Sequence, residues 1–348
     1  MSAIEEKINE LYEATKHLKT PEQMEPHCID FNTWVENEIS EQRLKLSSLG
    51  TLLSRGGFYK KFNTIPLVQG ENAIAVEKRN DKKEVIGTTL KHYVVHRCSL
   101  SKEQWDERNA SDKVTARLDN STEIDPDSFI EVTERLLKSN DTNALTVGII
   151  AATGRRPIEV LARGSFSPVE GEPYKVFFKG QAKKRGKDTG FEIPTLFPAS
   201  VVIKALNRLR KYPEIKGLVR DAVKDFPGDE AKQNVNIQNR RGNTLRRKVQ
   251  EHFGAEGGRK PVLPFRHEAD SDDCKSLRAA CAALVTARDC DGGAGAQLLF
   301  YARFLGHVAD IEGKENNDKA LKNVLTSLGY AGYVVNQSVP YPIDPEPI

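Results

Sequence analysis

The sequence predicts a mainly α-helical protein with a small β-hairpin sheet. Three observations carry that expectation. Apolar residues recur at helical spacing along much of the chain, as at Ile4, Ile8, Leu11 and Tyr12. The segment TNALTVGIIAATG, ending on Gly154, is almost uncharged, as a helix buried on all sides would be. Strand signals are confined to short runs separated by charged turns.

Residues 1 to about 55 read as helical, and DFNTWVENEISEQRLKLSSLGTLLSRGG carries the pattern to a Gly-Gly stop. Residues 56 to about 100 mix strand and loop signals. Two β-prone runs flank RNDKK within NAIAVEKRNDKKEVIGTTLKHYVVHRCSL, which predicts a hairpin. The polar stretch from about 101 to 125 predicts a linker, or an exposed helix followed by a linker. In DPDSFIEVTERLLKSN, Asp127 or Ser128 caps an amphipathic helix with Phe129, Ile130, Val132, Leu136 and Leu137 on its apolar stripe. Residues 174–179 and 190–195 predict two strands joined by the basic turn KGQAKKRGKD. Next come two basic helices, PASVVIKALNRLRKY and NTLRRKVQEHFG, and two apolar ones, SLRAACAALVTARDC and AGAQLLFYARFLGH. NNDKALKNVLTSLGY predicts a last helix, before an extended, Pro-rich tail over 336–348.

Composition narrows the class. A chain of 348 residues predicts two or three domains. Charged residues make up 29% and hydrophobic ones 38%, which suits a globular protein. Five cysteines, an odd number with no CxxC pair, argue for a reducing compartment and against a disulfide framework or zinc ribbon. No apolar run approaches about 18 residues, so no transmembrane helix is expected, and the acidic, amphipathic N-terminus does not read as a signal peptide. A net charge of +3 matters less than where the charges cluster.

Four separated elements could converge on one site. In ATGRRPIEVLARG, Arg156 follows Gly154 by two residues and precedes Glu159 by three. The adjacent Arg155 and Arg156 are either a solvated turn or an inward grip on an anion. The basic turn carries Lys183, Lys184 and Arg185. In KSLRAACA, Lys275 and Arg278 sit three apart and share a helix face. FLGH ends on His307, and SLGYAGY offers Tyr330 and Tyr333.

Taken in order, these boxes resemble the tyrosine recombinases: T-G-x-R-x-x-E, a lysine in a β-turn, H/K-x-x-R, L-G-H and a C-terminal tyrosine. The wording TGRRPIEV, GQAK…EIP and SLGYAGY looks most like the telomere resolvase (protelomerase) branch, and the resemblance covers roughly residues 125–335. It implies a tyrosine-recombinase-like catalytic domain preceded by a helical, DNA-clamping N-terminal region. The corresponding boundaries are 1–100 for DNA binding, 101–125 for a linker, 126–335 for catalysis and 336–348 for the tail. It also implies the catalytic set Arg156, Lys183 (Lys184 as runner-up), Lys275, Arg278, His307 and Tyr330 (Tyr333 as the alternative). Between His307 and Tyr330 lie 22 residues, more than the usual turn-and-helix gap. Arg266-His267 imitates one box, but acidic residues follow it rather than a small-residue helix.

The chemistry such a family performs explains the residue types. A tyrosine oxygen conserves the phosphate bond energy as a 3′-phosphotyrosine, which a 5′-hydroxyl later reverses. Two arginines supply forked, permanent donors to the non-bridging oxygens, each worth about 3 kcal/mol in the transition state. A lysine on the β-turn protonates the leaving oxygen. His307 and Lys275 add donors or help take the tyrosine proton, and Glu159 orients Arg156. There is no P-loop or HExxH motif, so no cofactor, ATP or Mg²⁺ is expected.

The basic segments KKRGKD, NRLRK, NRRGNTLRRK and RGGFYKK are the expected phosphate contacts. Arg155, Lys184, Arg185, Arg240, Arg241, Arg246, Arg247 and Lys248 are the DNA-binding candidates, with Arg155 facing backbone or solvent. The resemblance implies a homodimer on a palindromic double-stranded site, hairpin products, no membrane partner, and a cytoplasmic, nucleoid-associated protein of bacterial or phage origin. An integrase or excisionase, usually tetrameric, and a non-catalytic DNA-binding protein of the same fold remain the alternatives.

Overall fold

The computed structural model describes residues 2–79, 85–108, 119–182, 190–255, 260–264, 273–307, 324 and 327–342. The chain divides into two compact units, Met1–Ser111 and Asp112–Ile348.

In the first unit, α1 (Ala3–Thr15) starts where the Ser2 amide donates to Glu5 Oε2 at 2.8 Å. α2 (Pro21–Ser40) starts at Thr20, whose hydroxyl accepts from the Gln23 amide, with Pro21 in the first position, where its missing N–H costs nothing. α3 (Leu46–Arg55) ends at the expected Gly-Gly pair, and α4 (Phe58–Phe62) follows. Their apolar faces enclose Ile8, Met24, Phe31, Leu53, Phe58 and Phe62. The expected hairpin is present as β1 (Ala73–Arg79) and β2 (Val85–His92), antiparallel with Val76 opposite Thr89. The short helices α5 (Tyr93–Cys98) and α6 (Lys102–Arg108) complete the unit. Glu25 of α2 accepts from Arg97 and from the Tyr93 hydroxyl, which fastens α2 to α5.

The second unit opens with β3 (Thr122–Glu123) and α7 (Pro126–Leu137). The cap of α7 is Asp125, which accepts from the Ser128 amide at 3.1 Å, rather than the expected Asp127 or Ser128. Pro126 fits the first helical position, so the cap falls one residue earlier. α8 (Thr142–Thr153), capped by Asp141, is buried at Thr142 and throughout 144–153, as its uncharged sequence predicts. Gly148 sits where an added Cβ would lie 2.8 Å from Leu136, so α7 and α8 pack in close contact.

A three-stranded antiparallel sheet follows: β4 (Ser165–Pro168), β5 (Lys175–Lys179) and β6 (Phe191–Pro194), in that order. Phe166 opposes Phe178, and Val176 opposes Ile193. β4 escapes the sequence reading because SFSP is short, half polar and ends in proline. Of the helices that follow, α9 (Ala199–Lys211), α11 (Glu230–Phe253) and α12 (Cys274–Asp289) pack on α8, while α10 (Pro213–Asp225) packs on α9 and α11, and α13 (Ala294–Phe304) on α12. α11 buries Gln233, Ile237, Leu245, Val249 and Phe253, a stripe at four-residue spacing. Most of the expected last helix lies outside the described residues; its end is a 3₁₀ turn, Leu328–Tyr330. β7 (Tyr333–Val334) then pairs in parallel with β3. Among the described residues no helix is long and apolar enough to cross a membrane.

Candidate active site

Gly154 ends α8 in the left-handed conformation, with φ 63°, and its amide closes on the Ile150 carbonyl at 2.8 Å. A residue after such a glycine commonly packs back against the helix. Arg155 does this and is fully buried. Its guanidinium lies 5.1 Å from the Phe178 ring, 5.2 Å from Phe304 and 5.8 Å from Phe191. Nε donates to the Thr153 carbonyl at 3.2 Å, and Nη2 donates to the Phe304 carbonyl. The expectation that Arg155 faces DNA or solvent is therefore corrected. Burial pushes its guanidinium down to about 9, still high enough to stay charged at neutral pH.

Arg156 points the other way, with its side chain 13% exposed. Glu159 accepts from its backbone amide at 2.8 Å and from Nη1 at 2.7 Å, and also from the Ala182 amide at 3.1 Å. Burial pushes the Glu159 carboxyl up. The charges of Arg155, Arg156 and Arg278 outweigh this and hold it below the usual carboxylate range. Glu159 thus orients Arg156, as expected. It opens a π-helical turn, Glu159–Arg163. Arg210 of α9 secures that turn, donating to the carbonyls of Glu159, Val160, Ala162 and Gly164. Within NRLRK, the expectation of phosphate contacts is corrected for Arg208 and Arg210, which bind protein carbonyls. Nothing in a periodic basic helix distinguishes an arginine that reaches backbone oxygens from one in water.

Arg278, on the expected apolar helix α12, is 3% exposed. Its Nε donates to the Gly154 carbonyl at 2.7 Å, from 124 residues away along the chain. Its Nη1 lies 3.5 Å from the Tyr330 hydroxyl, and its buried Nη2 has no hydrogen-bond partner among the described residues. Burial, then the charge of Arg156, pushes this guanidinium down. The Lys275 ammonium and the Arg278 guanidinium each lie 5.3 Å from the Tyr330 ring centre.

His307 follows α13 across Gly306, whose φ of 69° reverses the chain. The imidazole is buried, shares a hydrogen bond with Ser327 Oγ at 2.8 Å, and lies 5.4 Å from the Tyr330 ring. The 22 intervening residues therefore do not keep His307 and Tyr330 apart. Gln181, beside the basic turn, donates to the Gly306 carbonyl at 2.8 Å. Tyr301 donates to the backbone carbonyl of Tyr330 at 2.8 Å, which holds the turn carrying the phenol. Tyr333, the alternative nucleophile, is buried and donates its hydroxyl to the Pro264 carbonyl at 2.9 Å.

Arg156, Lys275, Arg278, His307 and Tyr330 thus gather from four parts of the chain. Lys183, Lys184 and Arg185 lie outside the described residues. In the arginine-rich helix α11, Arg240, Arg246 and Arg247 are not buried. Arg241 is half-buried, with Nη1 on Asn143 Oδ1 at 3.1 Å, and Lys248 bridges Asp141 and Glu251 at 3.2 and 3.0 Å. Those two serve packing against the start of α8 rather than an open basic face.

A helical scaffold with a small antiparallel sheet that brings two arginines, an imidazole and a phenol together defines a tyrosine-recombinase-like protein. The telomere resolvase ResT/TelK catalytic domain matches residues 120–319, and the chain belongs to that family. The protelomerase of Klebsiella oxytoca phage phiKO2 is 44% identical over 71 residues, a match that spans 20% of this chain and 11% of the phage protein. A variant of protelomerase TelA covalently complexed with substrate DNA shares the fold with a TM-score of 0.61 at 19% identity, over 97% of this chain and 90% of that one. Protelomerase TelK complexed with substrate DNA gives 0.51 at 18% identity, over 97% and 60%.

Proposed function

We propose that this protein cuts and rejoins DNA through a tyrosine–phosphate link, and that it is a telomere resolvase making hairpin ends from a palindromic site. The observation that carries this reading is the reach of Arg278, which joins the Gly154 carbonyl beside Arg156 to the Tyr330 hydroxyl. The Tyr330 oxygen attacks the scissile phosphorus and its proton passes to the His307 imidazole, while the Lys275 ammonium offsets the developing negative charge. The bond to the 5′-oxygen breaks, and Lys183, with Lys184 the alternative, protonates that oxygen. Arg156 and the Nη2 of Arg278, which has no partner among the described residues, meet the non-bridging oxygens. A 5′-hydroxyl then attacks the phosphotyrosine, restoring the phosphodiester and freeing Tyr330. When that hydroxyl belongs to the opposite strand, the product is a hairpin.

The family match and the covalent DNA complex of a structural relative support this reading. Arg240, Arg246 and Arg247 supply phosphate contacts. The first unit adds further DNA contacts, and two copies act on the two halves of the palindrome.

The test is a nicked palindromic substrate run on a denaturing gel. Wild type forms a covalent adduct on the nicked DNA and a hairpin from the intact one, and Tyr330→Phe forms neither. Strand exchange between two duplexes in place of the hairpin means an integrase. DNA binding with no adduct under any condition means a non-catalytic binder.

A further inference from the structure

Arg155 is a charged side chain with no exposed surface and no substrate-facing role, a costly placement unless something requires it. Its surroundings show what it joins. Through Nε and Nη2 it links the last carbonyl of α8 to the Phe304 carbonyl at the end of α13. Arg156 follows the first anchor, and His307 comes three residues after the second. Between them, the Gly154 carbonyl receives Arg278. An added Cβ on Gly154 would stand 2.6 Å from the Phe304 ring, so the turn rests directly on that side chain. Phe178 of β5 and Phe191 of β6 close the remaining sides of the guanidinium.

We infer that Arg155 is a positioning residue for the strand-transfer reaction, holding the Arg156 turn and the His307 end of α13 in register and supplying a buried positive charge opposite Glu159. This rests on the reaction proposed above. A hydrophobic residue of similar length would fill the ring-lined slot but leave the Thr153 and Phe304 carbonyls without this donor. It would also remove the first of the charges that hold Glu159 ionised; the others facing that carboxylate are Arg156 and Arg278, with the Arg156 and Ala182 amides. Glu159 protonated would loosen Arg156.

The experiment compares Arg155→Met, Arg155→Lys and wild type in three measurements. The first is DNA affinity and its salt dependence. The second is the single-turnover rate of adduct formation against pH. The third is a ¹³C titration of the Glu159 carboxyl, which needs no activity. Arg155→Met is expected to keep affinity within about threefold and the same salt slope, because the side chain meets no phosphate. Its adduct rate is expected to fall about tenfold or more at pH ~7. Its acid limb and the Glu159 titration are both expected to move to higher pH. Arg155→Lys restores the charge and recovers the Glu159 titration, with part of the rate.

An unchanged rate and titration in Arg155→Met overturns the inference. So does a lowered salt slope, which would make Arg155 a phosphate contact. If Arg155→Met does not fold, Phe191→Leu, which opens one side of the slot and keeps the charge, is expected to slow adduct formation without weakening DNA binding; an unchanged rate there overturns the inference. Should wild type itself form no adduct, the proposed reaction fails, while the carboxyl titration still decides whether Arg155 holds Glu159 ionised.

Discussion

Replacing Glu159 by glutamine is the most informative perturbation of the candidate site. The substitution keeps the shape and one acceptor oxygen, removes the charge, and turns an NH2 group toward one of the N–H donors that the carboxylate now accepts from. That charge faces Arg155, Arg156 and Arg278 in a region where Glu159 is 1% exposed. Breaking a buried ion pair from one side costs about 3–5 kcal/mol, because the remaining charges stay buried without a counter-ion. The amide oxygen still accepts from Arg156, so the lower end, about 3 kcal/mol, applies. For a unit of this size each kcal/mol moves the melting temperature by about 2–4 °C, so a drop of roughly 6–12 °C is expected. Loss of the carboxylate also lets Arg156 drift, and a misplacement near ~1 Å can cost on the order of a hundredfold in rate.

The pH dependence has a definite sign. The Glu159 carboxyl is held below its ordinary range, so its stabilisation is complete above the unfolded value, near pH ~4.3. It is lost only as the pH falls through the lower folded value. Thermal melts by circular dichroism from about pH 2 to 8, for wild type and Glu159→Gln, should therefore show a full gap at neutral pH that closes only in acid, below about pH 4. A gap below about 2 °C at neutral pH, or one that widens toward acid, would refute the ion-pair argument.

Three further outcomes follow from the same geometry. Gly306→Ala places a Cβ 2.5 Å from Gln181 Nε2 and 2.9 Å from Phe191 at a φ of 69°; urea unfolding should show a loss of about 2–4 kcal/mol, and a loss under about 1 kcal/mol would mean the turn can relax. Tyr333→Phe removes the donor to the Pro264 carbonyl and should cost about 1–3 kcal/mol while adduct formation persists; loss of adduct in a folded Tyr333→Phe protein would return Tyr333 to the nucleophile position. Arg246→Ala and Arg247→Ala should each lower the slope of log affinity against log salt by about 1, measured by fluorescence anisotropy. Lys248→Ala should leave it unchanged, since Lys248 is held by Asp141 and Glu251.

Much of the fold and of the candidate site is legible in the residues themselves. Periodicity locates α1 and α7, an almost uncharged sequence locates α8, apolar composition locates α12, and the apolar runs in 174–195 locate β5 and β6, because each of these elements buries apolar surface that its own residues declare. The order of the boxes singles out Arg156, Lys275, Arg278, His307 and Tyr330. β4 is not legible because its pairing with β5 is set by a neighbouring strand and not by its own composition. The structural roles of Arg210 and Lys248 are hidden too. A charged residue on an amphipathic helix looks the same in sequence whether its head meets water, a carbonyl or a carboxylate. A signal does exist for Arg155: it follows a glycine that ends a buried helix, a position that turns back toward the core.

The sequence alone therefore determined the helical class, the burial of α8, the hairpins and the residues proposed as reactive groups, since these depend on local periodicity, residue chemistry and the order of the boxes. Only the tertiary structure decided which of two adjacent arginines turns outward, that Tyr330 and not Tyr333 lies beside Arg278, and that His307 reaches Tyr330 across a long insertion. Those choices are made by contacts between segments far apart in the chain, where the Phe304 carbonyl or the Gly154 carbonyl selects a partner that no local pattern encodes.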